Sequence, residues 1–143
     1  MANFSAKIIE TTHELTAREK IFMKDTTNAN KIDDILDECK ENNERFIITP
    51  VDYVILEVHN EKSKDRKDYN NYVIIDKDGT KYITGSPSFW NSFKEIWDEM
   101  RAESDEEFEI EIYKKPSKNY SGKDFITCSI LWYSIKVKVR GKV

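Results

Sequence analysis

Tyr72-Val73-Ile74-Ile75-Asp76-Lys77-Asp78-Gly79-Thr80-Lys81-Tyr82-Ile83-Thr84-Gly85-Ser86-Pro87-Ser88-Phe89 holds the signals that decide the fold. It opens on β-branched and aromatic residues, the composition of a strand. Asp78-Gly79 follows, a pair suited to a tight hairpin turn, so Lys81-Tyr82-Ile83-Thr84 reads as the return strand. Gly85-Ser86-Pro87 ends that strand. Ser86 is suited to cap a helix and Pro87 to fill its first position, where a missing amide costs nothing. Behind them Phe89, Phe93, Ile96, Trp97 and Met100 recur at helical spacing, as one buried face would.

Toward the N-terminus, a polar loop from His59 to Asn71 precedes the hairpin. Before it come Phe46-Ile47-Ile48 and Val51 to Val58, strand-like on either side of a bend or bulge at Pro50. Toward the C-terminus the helix ends in the acidic run Glu103 to Glu107, and Phe108-Glu109-Ile110-Glu111-Ile112 alternates as a half-buried strand does. A loop from Lys114 to Gly122 leads to a strong strand, Asp124 to Trp132, where adjacent Trp132 and Tyr133 point to opposite faces. Ile135 to Val143 alternates apolar and basic residues and suits one more edge strand. The order is strand, strand, strand, helix, strand, strand. It predicts a mainly β protein with helices, a five-stranded OB-type Greek-key barrel with its helix plugging one end.

The first third reads as helical. Thr11-Thr12-His13-Glu14 has the form of a capping box, with Thr11 as N-cap and Glu14 at the third helical position. It leads into Leu15 to Met23, a short helix or a segment that turns extended near its end. Asn28 or Asn30 caps a second helix over Lys31 to Lys40, whose stripe is Ile32, Ile35, Leu36 and Cys39. Helices this short need a partner to fold against. Residues 1–45 are therefore expected as a helical extension packed on the barrel, and residues 46–143 as the OB-type domain, in a single structural unit.

With 143 residues, 38 % apolar, 12 % aromatic and 35 % charged, the chain supports one compact core under a solvated surface and excludes global disorder. No apolar run approaches the roughly 20 residues that cross a bilayer. The start, Met1-Ala2-Asn3-Phe4-Ser5-Ala6-Lys7, has no apolar signal region behind it, so a cytoplasmic location is expected. Cys39 and Cys128 lack CxxC spacing and read as buried free thiols. The net charge of −4 hides a polarised distribution. Between Glu95 and Glu111 acids face Arg101 alone; beyond them Lys114, Lys115, Lys118, Lys123, Lys136, Lys138, Arg140 and Lys142 face only Asp124. Local sign, not total charge, decides where a polyanion sits.

Catalysis has little support. The histidines, His13 and His59, stand apart from any nucleophile, no His/Cys/Asp cluster has metal spacing, and no glycine-rich phosphate loop is present. No enzyme, cofactor or metal site is expected. Binding is better supported, because an OB barrel meets its ligand on strands two and three, between the loops joining strands one–two and four–five. Those loops are the basic ones here. The first offers Lys62, Lys64, Arg66, Lys67 and Tyr69; the second offers Tyr113, Lys114, Lys115, Lys118, Tyr120 and Lys123. Tyr72, Lys81 and Tyr82, on the strands between, complete the expected contact set. Single-strand binding needs cations along phosphates and flat rings beneath bases. The rival expectation is an OB-type protein-interaction module that engages a host protein through the acidic surface.

Three stretches carry a resemblance: Leu15 to Lys20 with Lys24 to Ala29, Thr84 to Phe89, and Pro116-Ser117-Lys118-Asn119-Tyr120-Ser121-Gly122-Lys123-Asp124-Phe125. In them the chain resembles the small single-stranded DNA-binding proteins of phages and mobile elements of Gram-positive bacteria. The resemblance implies a replication or recombination accessory that coats exposed strands, as a homo-oligomer, in the host cytoplasm. It leaves RNA open, since discrimination rests on the 2′-hydroxyl. Where such proteins often end in an acidic recruiting tail, this chain ends in the basic Lys136-Val137-Lys138-Val139-Arg140-Gly141-Lys142-Val143.

Overall fold

The computed structural model describes residues 4–62, 68–117 and 124–131. Its order is β1 (Phe4–Thr11), α1 (Ala17–Lys24), β2 (Asn30–Lys31), α2 (Ile32–Asn42), β3 (Phe46–Ile48), β4 (Pro50–Asn60), β5 (Asp68–Asp76), β6 (Lys81–Thr84), α3 (Pro87–Glu103), β7 (Ile110–Pro116) and β8 (Asp124–Ile130). The protein is mixed, with strands dominating, and its described residues cluster into two compact units. One comprises those of Met1–Ile35 and Val51–Ser86, the other those of Leu36–Pro50 and Pro87–Val143. Where the sequence suggested one break after residue 45, the chain changes unit three times, within α2, at Pro50 and at Pro87.

The first unit is built on a five-stranded sheet in the order β1-β4-β5-β6-β2. The decisive hairpin forms as expected: Tyr72 pairs with Thr84 and Ile75 with Lys81. At its tip Gly79 takes φ +89°, a conformation that a Cβ disfavours, and donates its amide to the Asp76 carbonyl at 2.9 Å. Val54, Leu56 and Val58 project from one face of β4 and pack with Val73 and Ile75 of β5 and with Leu15 and Met23. Tyr53, Ile55, Tyr72 and Ile74, on the opposite face, are buried as well. These strands are therefore continuous apolar runs instead of alternating ones.

The N-terminal residues differ from expectation. Phe4–Thr11 is a strand, antiparallel to β4 from Phe4↔Asn60 to Thr11↔Val54, with a register shift between Ile8 and Glu10. Thr11 lies in that strand and donates its hydroxyl to the Tyr53 carbonyl at 3.4 Å, so it caps nothing. The capping box forms five residues later. Glu19 donates its amide to Thr16 Oγ1 at 3.2 Å, and the Thr16 amide is donated to Glu19 Oε1 at 2.9 Å. Both Thr-x-x-Glu frames fit the motif, but only the second runs into Ala17-Arg18-Glu19-Lys20, all good helix formers. The second helix is found where its stripe placed it, with Ile32 and Leu36 buried.

The second unit holds a three-stranded antiparallel sheet in the order β3-β7-β8, with Phe46↔Ile112 and Ile48↔Ile110 on one side of β7 and Ile112↔Cys128 on the other. Its core face carries Phe46, Ile48, Ile110, Ile112, Ile126 and Cys128, all buried. Along α3, which begins at Pro87 as expected, Phe89, Trp90, Phe93 and Trp97 form a ring cluster around Phe93 with centroids 5.3–5.8 Å from it, and Phe108 closes edge-on against Trp97 at 5.8 Å. The Ser88 hydroxyl donates to the Ile126 carbonyl at 2.8 Å, and Ser92 Oγ lies 2.8 Å from Thr127 Oγ1. Helix α3 thus packs along β8 and takes up one of its backbone carbonyls. Pro50 marks the bend anticipated for it: residues before it join one sheet and residues after it the other. The strands are split between two sheets, and no closed barrel forms among the described residues.

Candidate nucleic-acid interface

Alternation along β7 separates two sets of side chains. Ile110 and Ile112 point into the core, so Glu111, Tyr113 and Lys115 lie on the outer face. Register places Ser129, Thr127 and Phe125 of β8 opposite them, and Ile47 of β3 opposite Glu111. Lys115 is exposed and has no partner among the described residues. Tyr113 is half-buried, its hydroxyl 2.6 Å from Ser129 Oγ, which holds the ring against rotation out of the sheet. Glu111 receives a two-pronged contact from Arg45, at 3.1 Å from Nε and 2.7 Å from Nη2. That pairing neutralises the one acid set among these residues.

Beside the part of β7 that extends past β3 lies an open groove of about 390 Å³, lined by the cations Lys40, Arg45 and Lys114, by the acids Asp37, Glu44, Glu111 and Asp124, and by Cys39 and Phe46. Lys114 reaches across it to Asp37 Oδ1 at 3.3 Å. Burial, followed by the nearby Glu44 and Glu38, pushes the Cys39 thiol up, so it stays protonated and poorly nucleophilic near neutrality. Burial drives the Cys128 thiol up to about 12. Both cysteines are free; Cys128 is buried as expected, whereas Cys39 is half-buried.

The remaining expected contacts fall into four groups. Tyr72, 8 % exposed, is a core residue, and Lys81, 4 % exposed, donates to the carbonyls of Phe22 and Asp25. Neither is available to a ligand: Tyr72 on β5 is spent on packing, and Lys81 on β6 satisfies the end of α1. Tyr82 is half-buried, and burial pushes its hydroxyl up, with Asp76 and Asp78 adding to the effect. Lys62 is exposed at the turn after β4, where its amide is donated to Asn60 Oδ1 at 3.0 Å. Lys64, Arg66, Lys67, Lys118, Tyr120 and Lys123 lie outside the described residues, as does the basic C-terminal segment. The two basic loops arise from different units. What the structure brings together is Tyr113, Lys114 and Lys115 with Arg45 and Lys40.

Phe125 was not among the expected contacts. It stands on the outer face, diagonal to Tyr113 and directly opposite Lys115, and is 36 % exposed. The signal was present in Asp124-Phe125-Ile126-Thr127-Cys128-Ser129: with Ile126 and Cys128 inward, period two turns Phe125 outward. His59, at the end of β4, has Asp68 Oδ1 2.6 Å from Nδ1 and Glu61 Oε1 2.6 Å from Nε2. Among the described residues no cluster of three or more His, Cys, Asp or Glu is placed to hold a metal ion, and no helix is long and apolar enough to cross a membrane. Comparison with protein-family models, characterised proteins and solved structures finds no match to this chain. The functional argument therefore rests on geometry and on the residues themselves.

Proposed function

We propose that this chain binds single-stranded nucleic acid without strong sequence preference, on the outer face of the β3-β7-β8 sheet and along the adjoining groove. The observation that carries the reading is β7. It presents a ring and an exposed cation on one face, Tyr113 and Lys115, and a second cation, Lys114, at the groove. Cations track the phosphates and a fixed ring supports a base, which is the chemistry such binding needs. In the sequence, the basic run Lys114 to Lys123 begins on the same strand. Single-stranded DNA in phage or mobile-element replication or recombination, a homo-oligomeric state and a bacterial cytoplasm are the setting that the resemblance adds.

An OB-type arrangement belongs to the same proposal, on the ground that β4, β5, β6, α3, β7 and β8 follow one another in its element order. A structure of the strand-bound protein in which no strand pairing joins the two sheets would remove it. The function is tested by titrating intrinsic fluorescence with an oligo-dT at two salt concentrations. Saturable binding whose logarithm falls linearly with that of salt is expected. No association in dilute buffer, together with capture of a protein that survives nuclease treatment, would favour the alternative, docking of a host protein on the exposed acids around the end of α3.

A further inference from the structure

Granted the nucleic-acid reading, we propose that Tyr113 and Phe125 form a two-ring platform for two successive bases, with Lys115 taking the phosphate between them. Tyr113 pairs with Thr127 and Lys115 with Phe125, so the rings stand on adjacent strands in diagonal register and on the same face. Diagonal neighbours in an antiparallel pair lie roughly 7–8 Å apart, within reach of aromatic side chains and open enough for each ring to meet its own ligand face. The opposite face is committed to the core through Ile112, Ile126 and Cys128, so neither ring can turn inward without displacing a buried residue.

Phe125 makes no ring contact among the described residues, and at 36 % exposure it leaves an apolar surface in water. Tyr113 is held by its 2.6 Å contact to Ser129. The surroundings select the ligand. Lys115 and Thr127 occupy the other diagonal beside the rings, and Ser129 and the Arg45–Glu111 pair lie on the same face two residues along, away from Phe125. A protein partner would favour a continuous apolar patch. Flat rings with a cation between them instead match a chain whose apolar π faces alternate with anionic linkers.

The test compares an oligo-dT with an abasic deoxyribose-phosphate chain of equal length. The natural protein should bind the oligo-dT more tightly. Phe125→Ala should lose roughly tenfold in affinity for oligo-dT and nothing for the abasic chain, while Phe125→Trp should retain the preference. Phe125→Leu keeps the apolar bulk without a flat ring, so it should behave as Phe125→Ala with an unchanged melting temperature. Equal affinity of the natural protein for both chains would overturn the platform and leave the binding function standing. An equal loss on both chains in Phe125→Leu would also overturn it. Failure to bind either chain would overturn the functional reading itself.

Discussion

The Lys81 ammonium lies 3.9 Å from the centre of the Phe22 ring. From there it donates to the Phe22 carbonyl and, at 2.6 Å, to that of Asp25, two acceptors at the C-terminal end of α1 that no further helical turn satisfies. A cation is favoured at that end by the helix dipole, and the ring face adds to the attraction. Burial opposes the charge and pushes the Lys81 ammonium down, with Asp25 working the other way.

Lys81→Met should therefore be destabilising despite its similar shape. The buried carbonyls lose a charged donor, a loss worth about 1.5–3 kcal/mol. Urea melts would read this as a lower midpoint at unchanged slope. A variant as stable as the natural protein would show that the contact contributes nothing net. Binding to an oligo-dT should be unaffected, because Lys81 does not face a ligand.

Both histidines are clamped between carboxylates. His13 Nε2 lies 3.2 Å from Glu19 Oε2 and Nδ1 3.3 Å from Asp52 Oδ1; His59 is flanked by Asp68 and Glu61. Two acidic acceptors use both ring nitrogens as donors only in the imidazolium. Hydrogen bonding to Glu19 raises His13 above its ordinary 6.5, and bonding to Asp68, then Glu61, raises His59. A group raised in the folded state contributes fully below its unfolded value and is lost as pH climbs through the folded one. The melting temperature should therefore fall as pH rises above the ordinary histidine value of about 6.5. Replacing both histidines with glutamine should flatten that profile; a flat profile in the natural protein would refute the account.

The cap makes a sharper comparison. Thr16→Ala should cost about 1 kcal/mol of stability, since the Glu19 amide loses its acceptor and the reciprocal Glu19 contact loses its purpose. Thr11→Ala, in the frame that sequence alone favoured, removes only a 3.4 Å hydroxyl contact from a strand and should cost less. Thermal melts of the two variants rank them directly, and the reverse order would contradict the assignment of the helix start.

How far the sequence led depends on which forces were local. The Asp78-Gly79 hairpin, the start of α3 at Pro87 and the stripe of α2 follow from turn chemistry and periodicity, and all were legible. Strand β1 was not. Ile8 and Ile9 are adjacent, the register shifts there, and Ile9 is exposed, so the period-two signal is erased within the segment that carries it. The division of strands between two sheets depends on partners far along the chain, such as Phe46 with Ile112, and no local pattern encodes that choice. In the candidate site, Tyr113, Lys114 and Lys115 were legible as a cluster of cations and a ring. The burial of Tyr72 and Lys81 was hidden, because both faces of β5 are covered and β6 lies against α1, facts of packing alone.

Arg45 and Glu111 supply the prediction that separates electrostatics from contact. The acid sits on the same face as Tyr113 and Lys115, where an uncompensated carboxylate would repel a phosphate chain, and Arg45 masks it with two hydrogen bonds. Arg45→Ala exposes that charge. It should weaken binding to an oligo-dT severalfold at low salt and much less at high salt, because screening removes a repulsion as readily as an attraction. Stability should change little, the Arg45 side chain being more than half exposed. If masking is the role of Arg45, then Glu111→Gln added to Arg45→Ala should restore most of the lost affinity. If Arg45 instead holds a phosphate itself, the double variant will remain as weak as the single one, and the measured salt dependence will be shallower by about one counterion.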